Sequence, residues 1–104
     1  MSVKIIKKEQ ALYAVEGELN MQTVPEVSKQ VDTLMRELAS DTGNVTFDFT
    51  SISRADSAGV AFMVDAMQLA KSKKLTLLFS NLPQQMKDIA SISGLLDILP
   101  ISEN

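Results

Sequence analysis

The segment that most constrains the fold runs from residue 45 to residue 69, where an alternating sequence is followed by a polar loop and then a long apolar stretch. Apolar and polar residues alternate over residues 45–50, which is typical of a strand with one buried face. We expect this strand to end near Thr50. Nearly every residue in 58–69 is apolar, so a buried or half-buried helix should follow. A strand leading directly into such a helix indicates an α/β protein.

The polar loop brings Asp56 and Ser57 to the start of that helix. Both side chains accept hydrogen bonds from the unpaired N–H groups of a first helical turn, so we expect one of them to be the N-cap. A group at this position faces free N–H donors and the positive end of the helix dipole, where added negative charge is favourable. Ser57 is therefore a candidate switch or docking point, and ordinary capping is the alternative interpretation.

The second helix, residues 57–73, is apolar over a wide arc. Its apolar residues cover roughly 180° at 100° per residue, whereas a surface helix needs only about 100°. The opposite face consists of small or mostly uncharged side chains: Ser57, Ala61, Val64, Asp65, Gln68 and Ser72. This face either belongs to a core helix that is apolar nearly all round, or it binds a partner protein.

The remaining segments complete the predicted topology. Residues 3–8 and 11–16 predict a β-hairpin interrupted by Gly17, and residues 23–26 predict a capping box ahead of the first helix. Residues 75–79 predict a buried strand, and residues 83–93 predict a third helix. Its cap would be Ser80 or Asn81, and residues 95–101 would fold back on the core. The apolar stripe of the first helix comprises Val27, Val31, Leu34, Met35 and Leu38, and the inward residues of the third are Met86, Ile89, Ala90 and Ile92.

The order β-β-α-β-α-β-α predicts a single α/β domain over residues 1–104, with crossover helices joining a mixed sheet of about four or five strands. The length of 104 residues and the hydrophobic content of 45% suit one compact core.

Composition excludes several classes of function. The net charge of −3 argues against a nucleic-acid partner, because binding to phosphates requires an excess of Lys and Arg. The chain has no Cys and no His, so it lacks disulfides, thiolates and the usual general base and metal ligand. No apolar run is long enough to span a membrane or to act as a signal peptide, which predicts a cytoplasmic protein without direct membrane insertion.

The residues also give little basis for catalysis. Ser57 has only carboxylates such as Asp48 and Asp56 as candidate activators, and these are poor bases for a serine at neutral pH. The sequence contains neither a GxxxxGK[ST] nor a GxGxxG element for nucleotide phosphates. We therefore expect a non-enzymatic protein with no cofactor, no metal and no catalytic residue.

Segments 17–20 (GELN), 48–50 (DFT) and 56–60 (DSAGV), the last followed by an apolar helix, resemble the STAS domain of sulfate transporters and anti-sigma-factor antagonists. The resemblance covers essentially the whole chain, although Asn20 stands where the family often has Asp. It implies a cytoplasmic interaction module whose loop and second helix dock a partner. Ser57 occupies the position that a partner kinase phosphorylates in the antagonists. The partner-binding residues would be Asp56, Ser57, Ala58, Gly59, Ala61, Val64, Asp65 and Gln68.

Within that family, segments 53–59, 69–71 and 98–100 are similar to the small STAS subunit of the Mla phospholipid-transport ABC complex of Gram-negative bacteria. This similarity implies a subunit that binds and stabilises the cytoplasmic ATPase, lies at the inner membrane through that partner, and supports outer-membrane lipid asymmetry. The alternative is an anti-sigma-factor antagonist whose partner kinase phosphorylates Ser57 and thereby switches binding. Both hypotheses use the same surface, and we favour the transporter subunit.

Overall fold

The computed structural model describes residues 2–38 and 43–102. Within these residues the elements follow the order β1 (Val3–Glu9), β2 (Leu12–Leu19), α1 (Val24–Leu38), β3 (Asn44–Asp48), β4 (Ile52–Ala55), α2 (Ser57–Ser72), β5 (Thr76–Ser80) and α3 (Gln84–Ile92). The predicted α/β class is confirmed. The predicted order lacked β4, and β3 ends at Asp48 rather than near Thr50.

The strands form one mixed, five-stranded sheet with the order β1-β2-β3-β5. β1 is antiparallel to β2, and β3 is parallel to both β2 and β5. The first half of β2 pairs with β3, and its second half pairs with β4, in parallel. Strands β2, β3, β4 and β5 therefore share one direction, and their carboxyl ends point towards the same edge of the sheet. β3 and β5 end level with Ala14 of β2, whereas β4 ends beside Leu19, the last residue of β2.

Gly17 lies inside β2 instead of ending the strand, so the expected strand boundary was wrong while the expected irregularity is present. Its φ is +117°, and the pairing of β2 with β4 shifts register between Gly17 and Glu18. A Cβ at this position would lie 2.1 Å from the carbonyl oxygen of Ser2. Only glycine fits here, because both the backbone angle and the close approach of β1 exclude a side chain.

The core lies between the sheet and helices α1 and α2. Phe47, Phe49 and Phe79 are fully buried, and the rings of Phe49 and Phe79 meet edge to face with their centroids 5.7 Å apart. The predicted stripe of α1 is confirmed, with Leu34 partly buried at its margin. The buried face of α2 comprises Gly59, Val60, Phe62, Met63, Ala66, Met67 and Ala70.

The third helix differs from the prediction in two respects. Its N-cap position is Pro83, which has no side chain that could cap, and neither Ser80 nor Asn81 takes that role. Ile92, expected to point inward, is 88% exposed at the end of α3. The following residues return to the core as predicted: Leu99 is buried, and Ile101 forms a parallel bridge with Phe79. No helix in the described part of the chain has the length and apolar character needed to cross a membrane.

Candidate functional site

The candidate site lies at the carboxyl edge of the parallel strands. The loops that follow β2, β4 and β5 leave the sheet on this side and lead into α1, α2 and α3, whereas the residues after β3 lead into β4 of the same sheet. In open α/β sheets, ligands are usually bound outside the carboxyl ends of the strands. The loop that follows β4 places Asp56 and Ser57 there.

Asp56 is the N-cap of α2, which confirms one of the two expected capping residues. Its carboxylate accepts a hydrogen bond from the N–H of Ala58 at 2.8 Å, and its carbonyl oxygen accepts one from the N–H of Gly59 at 2.9 Å. Ser57 is the first residue of the helix and is exposed. Because Asp56 supplies the cap, the Ser57 hydroxyl is not required for helix initiation.

The outer face of α2 points away from the core, which excludes the alternative of a helix buried nearly all round. Its exposed members are Ser57, Ala61, Asp65, Gln68 and, at the end of the helix, Ser72, and Ala58 and Val64 are partly buried at its margin. Between Asp56 and Ala70 the only charged side chain is that of Asp65. We call Ser57, Ala61, Val64, Asp65 and Gln68 the α2 face.

Gly59 was predicted to contact a partner, and the structure places it inside the domain. It is buried, and a Cβ built on it would lie 3.2 Å from Cβ of Leu19 and 3.3 Å from Cε of Met86. The glycine thus allows the start of α2 to approach both the end of β2 and α3. Its contribution to the site is close packing beneath the surface.

A hydrogen-bonded cluster centred on Asp48 joins two loops of the same edge. One carboxylate oxygen of Asp48 accepts hydrogen bonds from the hydroxyl of Thr50 at 2.6 Å, from the N–H of Thr50 at 2.9 Å and from the side-chain amide of Asn81 at 3.0 Å. Partial burial on its own would raise the pKa of the Asp48 carboxyl, but these hydrogen bonds, with a smaller contribution from the charge of Lys8, hold its pKa below the ordinary value. In its ionised form, the Asp48 side chain therefore holds the loops after β3 and β5 together.

Asp48→Asn is expected to destabilise the domain at neutral pH by up to about 1 kcal/mol, since solvent screens this partly exposed cluster. The native-state pKa of Asp48 lies below the ordinary 3.8, so its stabilising contribution is present above that value and is lost as pH falls through the native pKa. Urea unfolding of both proteins between about pH 7 and pH 3 measures this. The gap in unfolding free energy should narrow towards the acid end of this range; a constant gap would show that the carboxylate charge is not responsible.

A cavity of about 880 Å³ adjoins this cluster, between Thr50 and Asn81 on one side and residues 96–102 on the other. Its polar lining consists of hydroxyl and amide groups with Lys87 and Asp97. Across residues 2–38 and 43–102, no group of three or more acidic side chains could hold a metal ion. The cluster stabilises loops and offers no paired nucleophile and base.

Sequence reasoning missed one exposed residue of this edge. Met21, in the loop between β2 and α1, is 81% exposed. A large apolar residue between the polar residues Asn20 and Gln22 was the available signal, but its exposure depends on how the loop is folded. Thr23 directly precedes α1, as the predicted capping box required, and its carbonyl accepts hydrogen bonds from the N–H groups of Glu26 and Val27. The side-chain part of the prediction was wrong, because the N–H of Thr23 donates to the side chain of Asn20 and its hydroxyl donates to the carbonyl of Glu18.

These features define a small α/β domain with an exposed, nearly uncharged helix face at the carboxyl edge of its sheet. The sequence profile of the STAS domain matches residues 2–104, and the chain belongs to the STAS domain family. The predicted family and fold class are thereby confirmed. Among curated proteins, no sequence matches the chain.

Solved structures of anti-sigma-factor antagonists have a similar fold. SpoIIAA in its unphosphorylated form gives a TM-score of 0.71 at 15% identity, covering 98% of this chain and 89% of that chain. An antagonist from Mycobacterium paratuberculosis gives 0.71 at 14% identity, covering 98% and 85%. The Bacillus cell fate determinant SpoIIAA in its phosphorylated form gives 0.67 at 16% identity, covering 98% and 92%. At these identities the likeness establishes the fold.

Proposed function

We propose that this STAS-domain protein is a non-enzymatic interaction subunit that binds and stabilises the ATPase of an ABC-type phospholipid transporter. In this role it would serve the maintenance of outer-membrane lipid asymmetry. The observation that carries the proposal is the α2 face, which is exposed and nearly free of charge. Such a face suits a protein contact, because the centres of protein interfaces are depleted of charged residues.

The spacing and size of the side chains support a helix-to-groove contact. Ser57, Ala61, Val64 and Gln68 follow one another at intervals of four, three and four residues, which places them along one stripe of α2. The side chains of Ser57 and Ala61 at the start of the stripe are small, so a partner can approach the helix backbone closely at that end. Affinity would then come from shape complementarity around a few buried contacts.

A second function uses the same surface and is favoured by a separate observation. The fold is shared with SpoIIAA, whose structure is known in unphosphorylated and phosphorylated forms. Ser57 lies exposed at the start of α2, where a phosphoryl group would add nearly two negative charges beside the helix N-terminus. The alternative is therefore an anti-sigma-factor antagonist controlled by phosphorylation of Ser57.

The transporter hypothesis is preferred on the similarity of segments 53–59, 69–71 and 98–100 to the small transporter subunit. It places the protein in the cytoplasm, at the inner membrane through its partner alone. The proposed role requires no cofactor, no nucleic acid and no catalytic residue.

Affinity capture of the tagged protein from its native cells, with Ser57→Arg as the background control, tests the two functions. An ABC ATPase that is retained by the wild type and lost with the variant supports transport. A kinase-like anti-sigma factor, together with a phosphate-sized mass increase on Ser57 after incubation with ATP, supports switching. Retention of neither class of protein would overturn both.

A further inference from the structure

We propose that Met21 is an apolar anchor of the docking surface, and that the partner receives it in an apolar socket bordered by basic side chains. The inference rests on the proposed function, because the same partner would cover the α2 face. Met21 is 81% exposed, although methionine is usually buried in folded domains. At interfaces methionine is enriched, and its flexible thioether fills irregular pockets well.

The loop that carries Met21 is held closed by its own hydrogen bonds. The side-chain oxygen of Asn20 accepts hydrogen bonds from the N–H groups of Gln22 at 2.9 Å and Thr23 at 3.0 Å. The Thr23 hydroxyl accepts a hydrogen bond from the N–H of Asn20 at 3.0 Å and donates one to the carbonyl of Glu18 at 2.7 Å. Thr23 itself is buried. Binding therefore needs little ordering of this backbone, which favours affinity at an anchor.

The same loop is joined directly to the start of α2. The N–H of Asp56 donates to the carbonyl of Leu19 at 3.2 Å. A Cβ at Gly59 would lie 3.2 Å from Cβ of Leu19, so the helix and the end of β2 are in close contact. Met21 follows Leu19 by two residues, and Ser57 follows Asp56 by one. Met21 and Ser57 therefore follow two backbone segments that are hydrogen-bonded to each other at the carboxyl edge of the sheet.

The exposed charges of the docking surface indicate which charges the partner should carry. Asp56 and Asp65 are exposed, and no other charged residue occurs between residues 56 and 70. A partner with Lys or Arg opposite these carboxylates would be steered towards this face, and one with acidic residues there would be repelled. A docking surface that combines an apolar anchor with the exposed carboxylates of Asp56 and Asp65 thus calls for a partner with an apolar socket and basic side chains near it.

The test uses the purified ATPase subunit from the same cells as the probe, with dissociation constants measured by isothermal titration calorimetry. Met21→Ala is expected to weaken binding by about ten-fold or more, and Met21→Leu should restore most of it, because both side chains fill a similar volume. Ile92→Ala is the matched control, since Ile92 is 88% exposed at the far end of α3. The affinity of the Ile92→Ala variant for the ATPase should equal that of the wild type. All variants should keep the wild-type melting temperature.

The basic border has its own readout. Asp65→Asn should lower the association rate with the ATPase and weaken its dependence on salt concentration. Equal affinity of Met21→Ala and wild type, while Ser57→Arg loses binding, would overturn the anchor and leave the proposed function intact. An association rate that Asp65→Asn leaves unchanged would overturn the basic border. If the wild type does not bind the ATPase, the proposed function fails and the anchor fails with it.

Discussion

Ser57→Arg is expected to weaken binding of the ATPase subunit by at least about 100-fold, because a guanidinium would be desolvated without a partner at the centre of the contact. The domain itself should stay folded. Ser57 is exposed at the first position of α2, and the cap is supplied by Asp56. The positive charge near the helix N-terminus should cost no more than about 1 kcal/mol. Calorimetry for affinity and urea unfolding for stability measure the two effects separately.

Ser72→Arg is the matched control for this experiment. Ser72 is exposed on the same side of the helix, but it is the last residue of α2, one turn beyond Gln68 and outside the α2 face, roughly 22 Å from Ser57 along the helix axis. A cation at this end complements the dipole, so the variant should bind the ATPase as the wild type does and be at least as stable. Undiminished affinity of Ser57→Arg would assign the docking surface elsewhere. An equal loss in both variants would indicate a general effect of added charge.

Ser57→Ala separates the two proposed functions at the same position. In a constitutive transporter subunit, Ser57 is a contact hydroxyl, and its removal should weaken binding by no more than about ten-fold. In a partner-switching antagonist, the variant cannot accept a phosphoryl group, so it should bind its anti-sigma factor equally well before and after incubation with ATP. If incubation with ATP does not change the affinity of the wild type for the anti-sigma factor, the switching hypothesis is wrong.

The parts of the fold that follow from periodicity were predictable from the sequence. The buried stripe of α1 and the outer face of α2 depend on side-chain spacing along a single element, which the structure retains. β4 was missed because it is only four residues long and its pattern of burial does not alternate. Its pairing with β2 depends on the irregular backbone at Gly17, and that register is a tertiary property.

The candidate site could be predicted only where its structure depends on residues that are close together in the sequence. Asp56 and Ser57 were placed correctly because a cap is a local structure. Gly59 follows them closely in sequence but faces the core, since successive helical residues are rotated by about 100°. Asn81 was one of the two residues expected to cap α3, and it instead donates to Asp48, 33 residues away. No local pattern encodes that contact, and the exposure of Met21 was hidden for the same reason.

Phe62→Ala is expected to lower the free energy of unfolding by about 3–5 kcal/mol, because it removes a large buried ring and leaves a cavity. Phe62 is 1% exposed, and it lines a small crevice together with Val31 of α1. Since single domains are usually stable by only about 5–15 kcal/mol, this is a large fraction of the total. Urea unfolding monitored by circular dichroism measures the change.

Gln68→Ala provides the comparison on the opposite side of the same helix. Gln68 is exposed, so its unfolding free energy should stay within about 0.5 kcal/mol of wild type while its affinity for the ATPase falls. Phe62→Ala should show the reverse: at temperatures where it is still folded, its affinity per folded molecule should match the wild type. If Phe62→Ala had wild-type stability and reduced affinity, its ring would belong to the interface. The division of α2 into a core face and a docking face would then be wrong, because both sides of the helix would contact the partner.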